Sequence, residues 1–221
     1  MAKYPIFLEL SGRRVVVVGA GPVAARKAQA LLAAGARLVV VAEHIDDTLT
    51  TLCQGTNAEL IKSRYSKDYL AGAVLAIAAT NNPKLNKRIY KDCQELEVLC
   101  NVVDQPELCD FFVPAVVKRG DLQIAVGTEG HCPAYAGHVR EKLEQTFTDK
   151  HGEFLAELET FRKRIVKDVP DAADRKALLG QLADDESFEY FVENGPAAWH
   201  DRAEKITKEY QSRAQEQRTT D

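Results

Sequence analysis

Residues 13–43 read RRVVVVGAGPVAARKAQALLAAGARLVVVAE, and the organisation of the chain follows from this stretch. Arg14–Val18 is a short run of β-branched residues bounded by glycine, the signature of a buried strand. Residues 23–34 place Ala, Leu and charge at helical spacing, and Gly35 follows as a C-cap. Arg37–Ala42 is a second β-branched run. Between the first strand and the helix stands Gly19-Ala20-Gly21-Pro22-Val23-Ala24, a G-x-G-x-x-A turn. Gly19 permits the tight turn, Gly21 lets the backbone approach a pyrophosphate, and Ala24 is small enough for close helix–strand packing. Pro22 loses no bonded N–H at the first helical position. The free N–H groups and positive end of the helix then face the phosphates.

A lone glycine turn is a weak signal, but this one has a strand before it, a helix after it and an acidic residue ending the next strand. That residue, Glu43, is expected to accept hydrogen bonds from adenosine ribose hydroxyls and to repel a 2′-phosphate, which favours NAD over NADP. A methyl donor such as S-adenosylmethionine is the main rival on the motif alone, and a glycine turn without a ligand is the other alternative.

Strand and helix patterns continue to alternate: helix 46–54, strand 59–63, strand 73–79, helix 83–97 and strand 98–103. Alternation of this kind predicts an α/β fold with a Rossmann-like parallel sheet and helices on both faces. After Asp110 the pattern changes. Residues 111–117 read as a strand, Lys118-Arg119-Gly120-Asp121 as a basic turn, 122–126 as the second strand of a hairpin, and 127–133 as a loop before a helix over 134–147. From His151 onward the chain is almost entirely helical, with breaks at Val169-Pro170-Asp171 and Asn194-Gly195-Pro196. The last ten or so residues are polar and expected to fray. The expected organisation is thus a dinucleotide domain over 1–110, a small strand-strand-helix segment over 111–150 and a helical C-terminal domain over 151–221.

Composition restricts the functional class. The chain has 221 residues, 28% of them charged, with a net charge of −4, which argues against a general binder of nucleic acid or acidic membranes. No apolar run approaches the roughly 20 residues of a membrane helix, and Met1-Ala2-Lys3-Tyr4-Pro5 lacks the apolar core of a signal peptide. A cytoplasmic location is expected. Cys53, Cys93, Cys100, Cys109 and Cys132 form no Cys-x-x-Cys pair, so reduced thiols are expected rather than a disulfide framework or structural zinc.

Two further strand ends fall at the carboxyl edge, where ligands of such sheets bind. Ala78-Ala79-Thr80-Asn81-Asn82-Pro83 offers Thr80 and Asn81 as cofactor contacts, and the same residues suit a helix cap. Asn101-Val102-Val103-Asp104 ends another strand. Asp104 is the candidate general base beside a hydride acceptor, with a turn former before Pro106 as the alternative. His44, Asn101 and Val102 complete the expected cofactor set.

Together these motifs resemble the precorrin-2 dehydrogenase family, the NAD-binding part of siroheme synthase. The resemblance rests on Tyr4-Pro5-Ile6-Phe7-Leu8-Glu9-Leu10, on residues 18–28 around the glycine turn, on residues 76–86 around Thr80-Asn81-Asn82-Pro83, on residues 101–111 from Asn101 to Phe111, and on residues 114–126 around Lys118-Arg119-Gly120-Asp121. It runs almost continuously to about Leu143. It implies hydride transfer to NAD from precorrin-2, a reduced tetrapyrrole bearing eight carboxylates, with loss of a proton to give sirohydrochlorin. It implies Asp104 as the acid/base group and an intimate homodimer built on residues 111–147. Some family members also insert ferrous iron. Thr128, His131 and Arg140 are the expected substrate contacts, and no resident metal is expected.

One loop departs from the family pattern Ser-Ser/Thr-Gly-Gly-x-Ser-Pro. Here it reads Gly127-Thr128-Glu129-Gly130-His131-Cys132-Pro133. Glu129 stands where the family has glycine; if that position has positive φ, the cost is about 1 kcal/mol. The departure bears on metal insertion and leaves the dehydrogenase motifs intact. The other functional classes open to the sequence are a non-catalytic NAD-sensing module and a chelatase alone.

Overall fold

The structure is a computed structural model. It describes residues 3–220, with side chains through residue 212; Met1, Ala2 and the expected fraying of the last ten or so residues lie outside what is described. The chain forms two compact units, one of Met1–Val113 with Glu129–His131 and one of Pro114–Thr128 with Cys132–Asp221.

The first unit is built on a five-stranded parallel sheet in the order β3-β2-β1-β4-β5. Its strands are β1 (Arg14–Val18), β2 (Arg37–Ala42), β3 (Glu59–Lys62), β4 (Leu75–Ala78) and β5 (Leu99–Val102). Helices α1 (Pro22–Ala33), α2 (Asp47–Cys53) and α3 (Pro83–Glu95) join them. The valine runs are buried on both faces, as a covered parallel sheet requires. Val15, Val17, Leu38 and Val40 pack with Ala24, Ala28 and Leu31 of α1 on one side. Val16, Val18, Val39 and Val41 pack with Ile89 and Cys93 of α3 on the other. Strand order reverses between β1 and β4, so the crevice at this switch point opens beyond the carboxyl ends of the strands.

The second unit begins with an antiparallel hairpin, β6 (Ala115–Arg119) and β7 (Leu122–Val126). Here the expected elements shift. Residues 111–114 are not strand, because Phe111 is tied to β5 through its carbonyl, which accepts from Asn101 Nδ2 at 2.9 Å, and Pro114 has no N–H to pair. Lys118 and Arg119 belong to β6 rather than to the turn. Arg119 pairs with Leu122, leaving Gly120-Asp121 as the turn, with Gly120 at φ 56°.

Helices α4 (Pro133–Thr146), α5 (Asp149–Asp168), α6 (Ala172–Leu182) and α7 (Asp185–Thr220) follow. The break expected at Gly195 is a kink within α7, with Gly195 at φ 80°. The core of this unit is aromatic: Phe154, Phe161, Phe191 and Trp199 are buried together, and Trp199 Nε1 donates to the buried Ser187 Oγ at 2.8 Å. Among the described residues no helix is long and apolar enough to cross a membrane.

Candidate functional site

Each strand of the first unit delivers a short segment to one edge. A cleft of about 460 Å³ lies there, lined by Gly19, Ala20 and Gly21 after β1, Glu43 and His44 after β2, Ser63 and Tyr65 after β3, and Ala79 to Asn82 with Leu85 after β4. Its size falls in the range of about 300–1,000 Å³ usual for ligand clefts.

The glycine turn has the shape its motif demands. Gly19 sits at φ 114°, and a Cβ there would stand 2.3 Å from the Ala79 carbonyl oxygen. No L side chain fits, and its absence lets β1 and β4 approach at the switch point, where Ala79 N donates to Val18 O at 2.8 Å. Gly21 is different: nothing lies within 4 Å of where its Cβ would stand, so its bareness leaves room on the cleft side rather than relieving a clash.

Helix α1 begins at Pro22 with Gly21 as N-cap and has neither a side-chain cap nor an acidic residue in its first turn. The neighbouring helices are capped: Asp46 Oδ1 accepts from Leu49 N at 2.9 Å, and Asn82 Oδ1 accepts from Lys84 N and Leu85 N at 3.1 and 3.2 Å. An uncapped helix start beside a cleft holds unspent N–H groups and a positive dipole end, which an anion satisfies. These features fit a dinucleotide pyrophosphate.

The loop after β4 is locked from below. Asn86 of α3 is buried, and its Nδ2 donates to the Thr80 carbonyl at 3.1 Å. The Thr80 hydroxyl donates to Asn86 Oδ1 at 2.6 Å and accepts from Asn82 N at 3.2 Å. Asn82 supplies the helix cap, while Asn81 is exposed in the cleft.

The remaining expected contacts are distributed differently. Pro22 and Val23 form the first turn of α1, and Ala24 is fully buried against the sheet. Val102 is core, and Asn101 spends its amide on Phe111 O and Cys109 Sγ. Neither Asn101 nor Val102 lines the cleft. Asp104 follows β5 at the same sheet edge. Val103 N donates to Ala78 O at 3.0 Å, which extends the ladder up to the turn that carries Asp104. Asp104 is exposed and left-handed, φ 59°. Aspartate tolerates this conformation better than most residues, and strained residues concentrate at functional sites. Its carboxylate accepts no hydrogen bond from the described residues, so it is available to an incoming proton.

Tyr65 and Ser63 were not singled out from the sequence. Tyr65 Oη donates to Asp92 Oδ2 at 2.9 Å, and Arg88 covers the ring with its guanidinium 5.7 Å from the centroid. Burial, with the Asp92 bond, pushes the phenol pKa up. The signal is positional: one to three residues past a parallel strand, the chain is still at the ligand edge.

The expected substrate contacts fall in both units. His131 is exposed in the first. In the second, Thr128 Oγ1 accepts from Cys132 N at 3.3 Å. Arg140 is engaged by its own helix, at 2.5 Å from Glu144 Oε1 and 3.3 Å from Glu141 Oε1. Glu129 has φ 53°, so the left-handed cost is present. Among the described residues no group of three or more His, Cys, Asp or Glu is placed to hold a metal ion. All five cysteines are free thiols; Cys53, Cys93 and Cys100 are buried, and Cys132 is exposed.

Comparison with known proteins follows the same lines. A family described as "Putative NAD(P)-binding" matches residues 6–115. The siroheme synthase of Pseudomonas putida (strain W619) is 41% identical over 172 residues, which are 78% of this chain and 37% of that protein. The siroheme synthase of Pseudomonas aeruginosa (strain LESB58) is 36% identical over 206 residues, 93% of this chain and 43% of that protein. The chain thus spans less than half the length of these relatives. A solved structure of SirC, a precorrin-2 dehydrogenase, superposes with a TM-score of 0.76 at 23% identity, covering 92% of this chain and all of that one; this is a likeness of fold. Because the sequence similarity extends through both units and is not confined to the dinucleotide turn, the chain belongs to the family of the N-terminal NAD-binding part of siroheme synthase.

Proposed function

We propose that the chain is an NAD-dependent precorrin-2 dehydrogenase of siroheme biosynthesis. The observation that carries this reading is the sharing of one sheet edge by the uncapped start of α1 and the free, left-handed Asp104. Bound NAD supplies the hydride acceptor. Gly19 and Gly21 admit its pyrophosphate, Pro22, Val23 and Ala24 present the N-terminus of α1, and Glu43 and His44 face the adenosine ribose. Thr80 and Asn81 form the wall beyond β1, and Asn101 and Val102 fix the height of the strand end from which Asp104 projects. Asp104 takes the proton that leaves the tetrapyrrole as the hydride departs, so that two electrons and one hydrogen nucleus pass to NAD as hydride and a second hydrogen leaves as the proton received by Asp104.

Residues 1–110 act as the NAD-binding domain, 111–150 as a dimerisation segment and 151–221 as a helical C-terminal domain. The hairpin supports the homodimer: it is a sheet of only two strands, and Val116 and Tyr135 of this unit are exposed. In the dimer, Thr128, His131 and Arg140 contact the substrate carboxylates, with Arg140 released from Glu144. The working compartment is the cytoplasm.

The test is Asp104→Asn. The variant retains NAD binding by calorimetry and loses turnover of precorrin-2 by about 100-fold or more, the usual contribution of a positioned acid/base group. Wild-type rates in the variant would remove Asp104 from the mechanism.

A further inference from the structure

The residues that follow β2 and β3 leave the sheet side by side. The register pairs Ala42 with Lys62, so Glu43 and the Ser63-Arg64-Tyr65 turn emerge at one edge. Arg64 Nε stands 3.6 Å from Glu43 Oε2. Glu43 lines the cleft, as do both chain neighbours of Arg64, Ser63 and Tyr65. The Arg64 side chain is 88% exposed, with its guanidinium at the rim.

This pair changes the electrostatic reading of Glu43. Alone, a carboxylate after β2 accepts from the ribose hydroxyls and rejects a 2′-phosphate. Here a permanent cation lies beside it, so the net charge at that point is near zero. A guanidinium is also the side chain whose fork of donors matches a phosphate, and an exposed arginine is free to turn from the carboxylate to a phosphate entering beside it.

We propose that Arg64 sets cofactor choice at this cleft: it offsets Glu43 and receives the 2′-phosphate, so that NADP binds in the same place as NAD. This rests on the reading of the cleft as a dinucleotide site. Glu43 then serves the ribose of NAD, and Arg64 serves the extra phosphate of NADP. Neither residue has to be displaced far, because both already stand at the adenosine end.

The experiment is a calorimetric titration of the full chain with NAD and with NADP, without tetrapyrrole, in wild type and in Arg64→Ala. The substituted side chain is exposed, so the fold is retained. The wild type binds both dinucleotides. Arg64→Ala weakens NADP by about tenfold or more and NAD by less than about threefold, which raises the ratio of the two dissociation constants. An unchanged ratio, or a wild type that binds NAD and not NADP, overturns the proposal while leaving the dinucleotide reading in place. No binding of either dinucleotide overturns that reading and this proposal with it.

Discussion

Asn86 and Thr80 exchange two hydrogen bonds: Asn86 Nδ2 donates to the Thr80 carbonyl at 3.1 Å, and the Thr80 hydroxyl donates back to Asn86 Oδ1 at 2.6 Å. A buried amide on α3 therefore holds the cleft loop in shape. Asn86→Ala leaves the Thr80 carbonyl and hydroxyl short of partners and is expected to cost roughly 1–3 kcal/mol. Urea unfolding measures that loss, and NAD affinity falls in the same variant because the loop is no longer fixed. Unaltered stability would show that solvent replaces the amide without cost.

Gly152 of α5 lies under the hairpin turn. A Cβ there would stand 2.5 Å from the Arg119 carbonyl oxygen. Nearby, Arg119 Nε donates to Phe147 O at 2.8 Å, so the turn is held from two sides and has little room to retreat. Gly152→Ala is expected to destabilise the protein by about 1–3 kcal/mol through overpacking, despite alanine's better helix propensity. A rise in the thermal midpoint would contradict the close approach.

Glu129 carries the opposite signature. It occupies φ 53° on an exposed loop, where its carboxylate accepts from Lys3 N at 3.4 Å. Glu129→Gly removes the left-handed penalty and is expected to stabilise by about 0.5–1 kcal/mol. Denaturant midpoints of the two proteins decide it. Destabilisation would mean that the glutamate side chain contributes more than its exposed position implies.

Tyr65 gives a pH dependence. Its folded pKa is raised by burial and by donation to Asp92, so the native state keeps the proton while the unfolded chain ionises near about 10. The stabilisation is fully present below that pH and is lost as pH rises through the folded value. Tyr65→Phe is expected to cost about 1 kcal/mol at neutral pH. The gap to wild type should narrow above about pH 10. A gap that widened with pH would reverse the assignment.

Much of this was legible because the decisive signals were local. The valine runs and the Gly19 to Ala24 turn located β1, α1 and β2 to within about a residue, since burial on both faces leaves no alternative pattern. The acid at the end of β2 and the aspartate after β5 followed from parallel order, which brings all strand ends to one side. What the sequence hid was tertiary. Asn101 read as a strand-end ligand, yet its amide is spent on Phe111. Arg140 reads as a contact to substrate carboxylates, yet two glutamates of its own helix engage it. The start of β6 shifted because a side chain from β5 claims the Phe111 carbonyl, a contact between segments that periodicity does not register. Ser63, Arg64 and Tyr65 were missed because β3 carries no glycine or acid to mark its end.

The most direct measurement is turnover of the wild-type chain. Precorrin-2 generated anaerobically in situ is mixed with NAD, and NADH absorbance is followed together with the sirohydrochlorin spectrum. Both are expected to appear in equal amounts, and neither when NAD is omitted. Sirohydrochlorin formed at the same rate without NAD, or NAD binding with no oxidation of precorrin-2, would contradict this expectation.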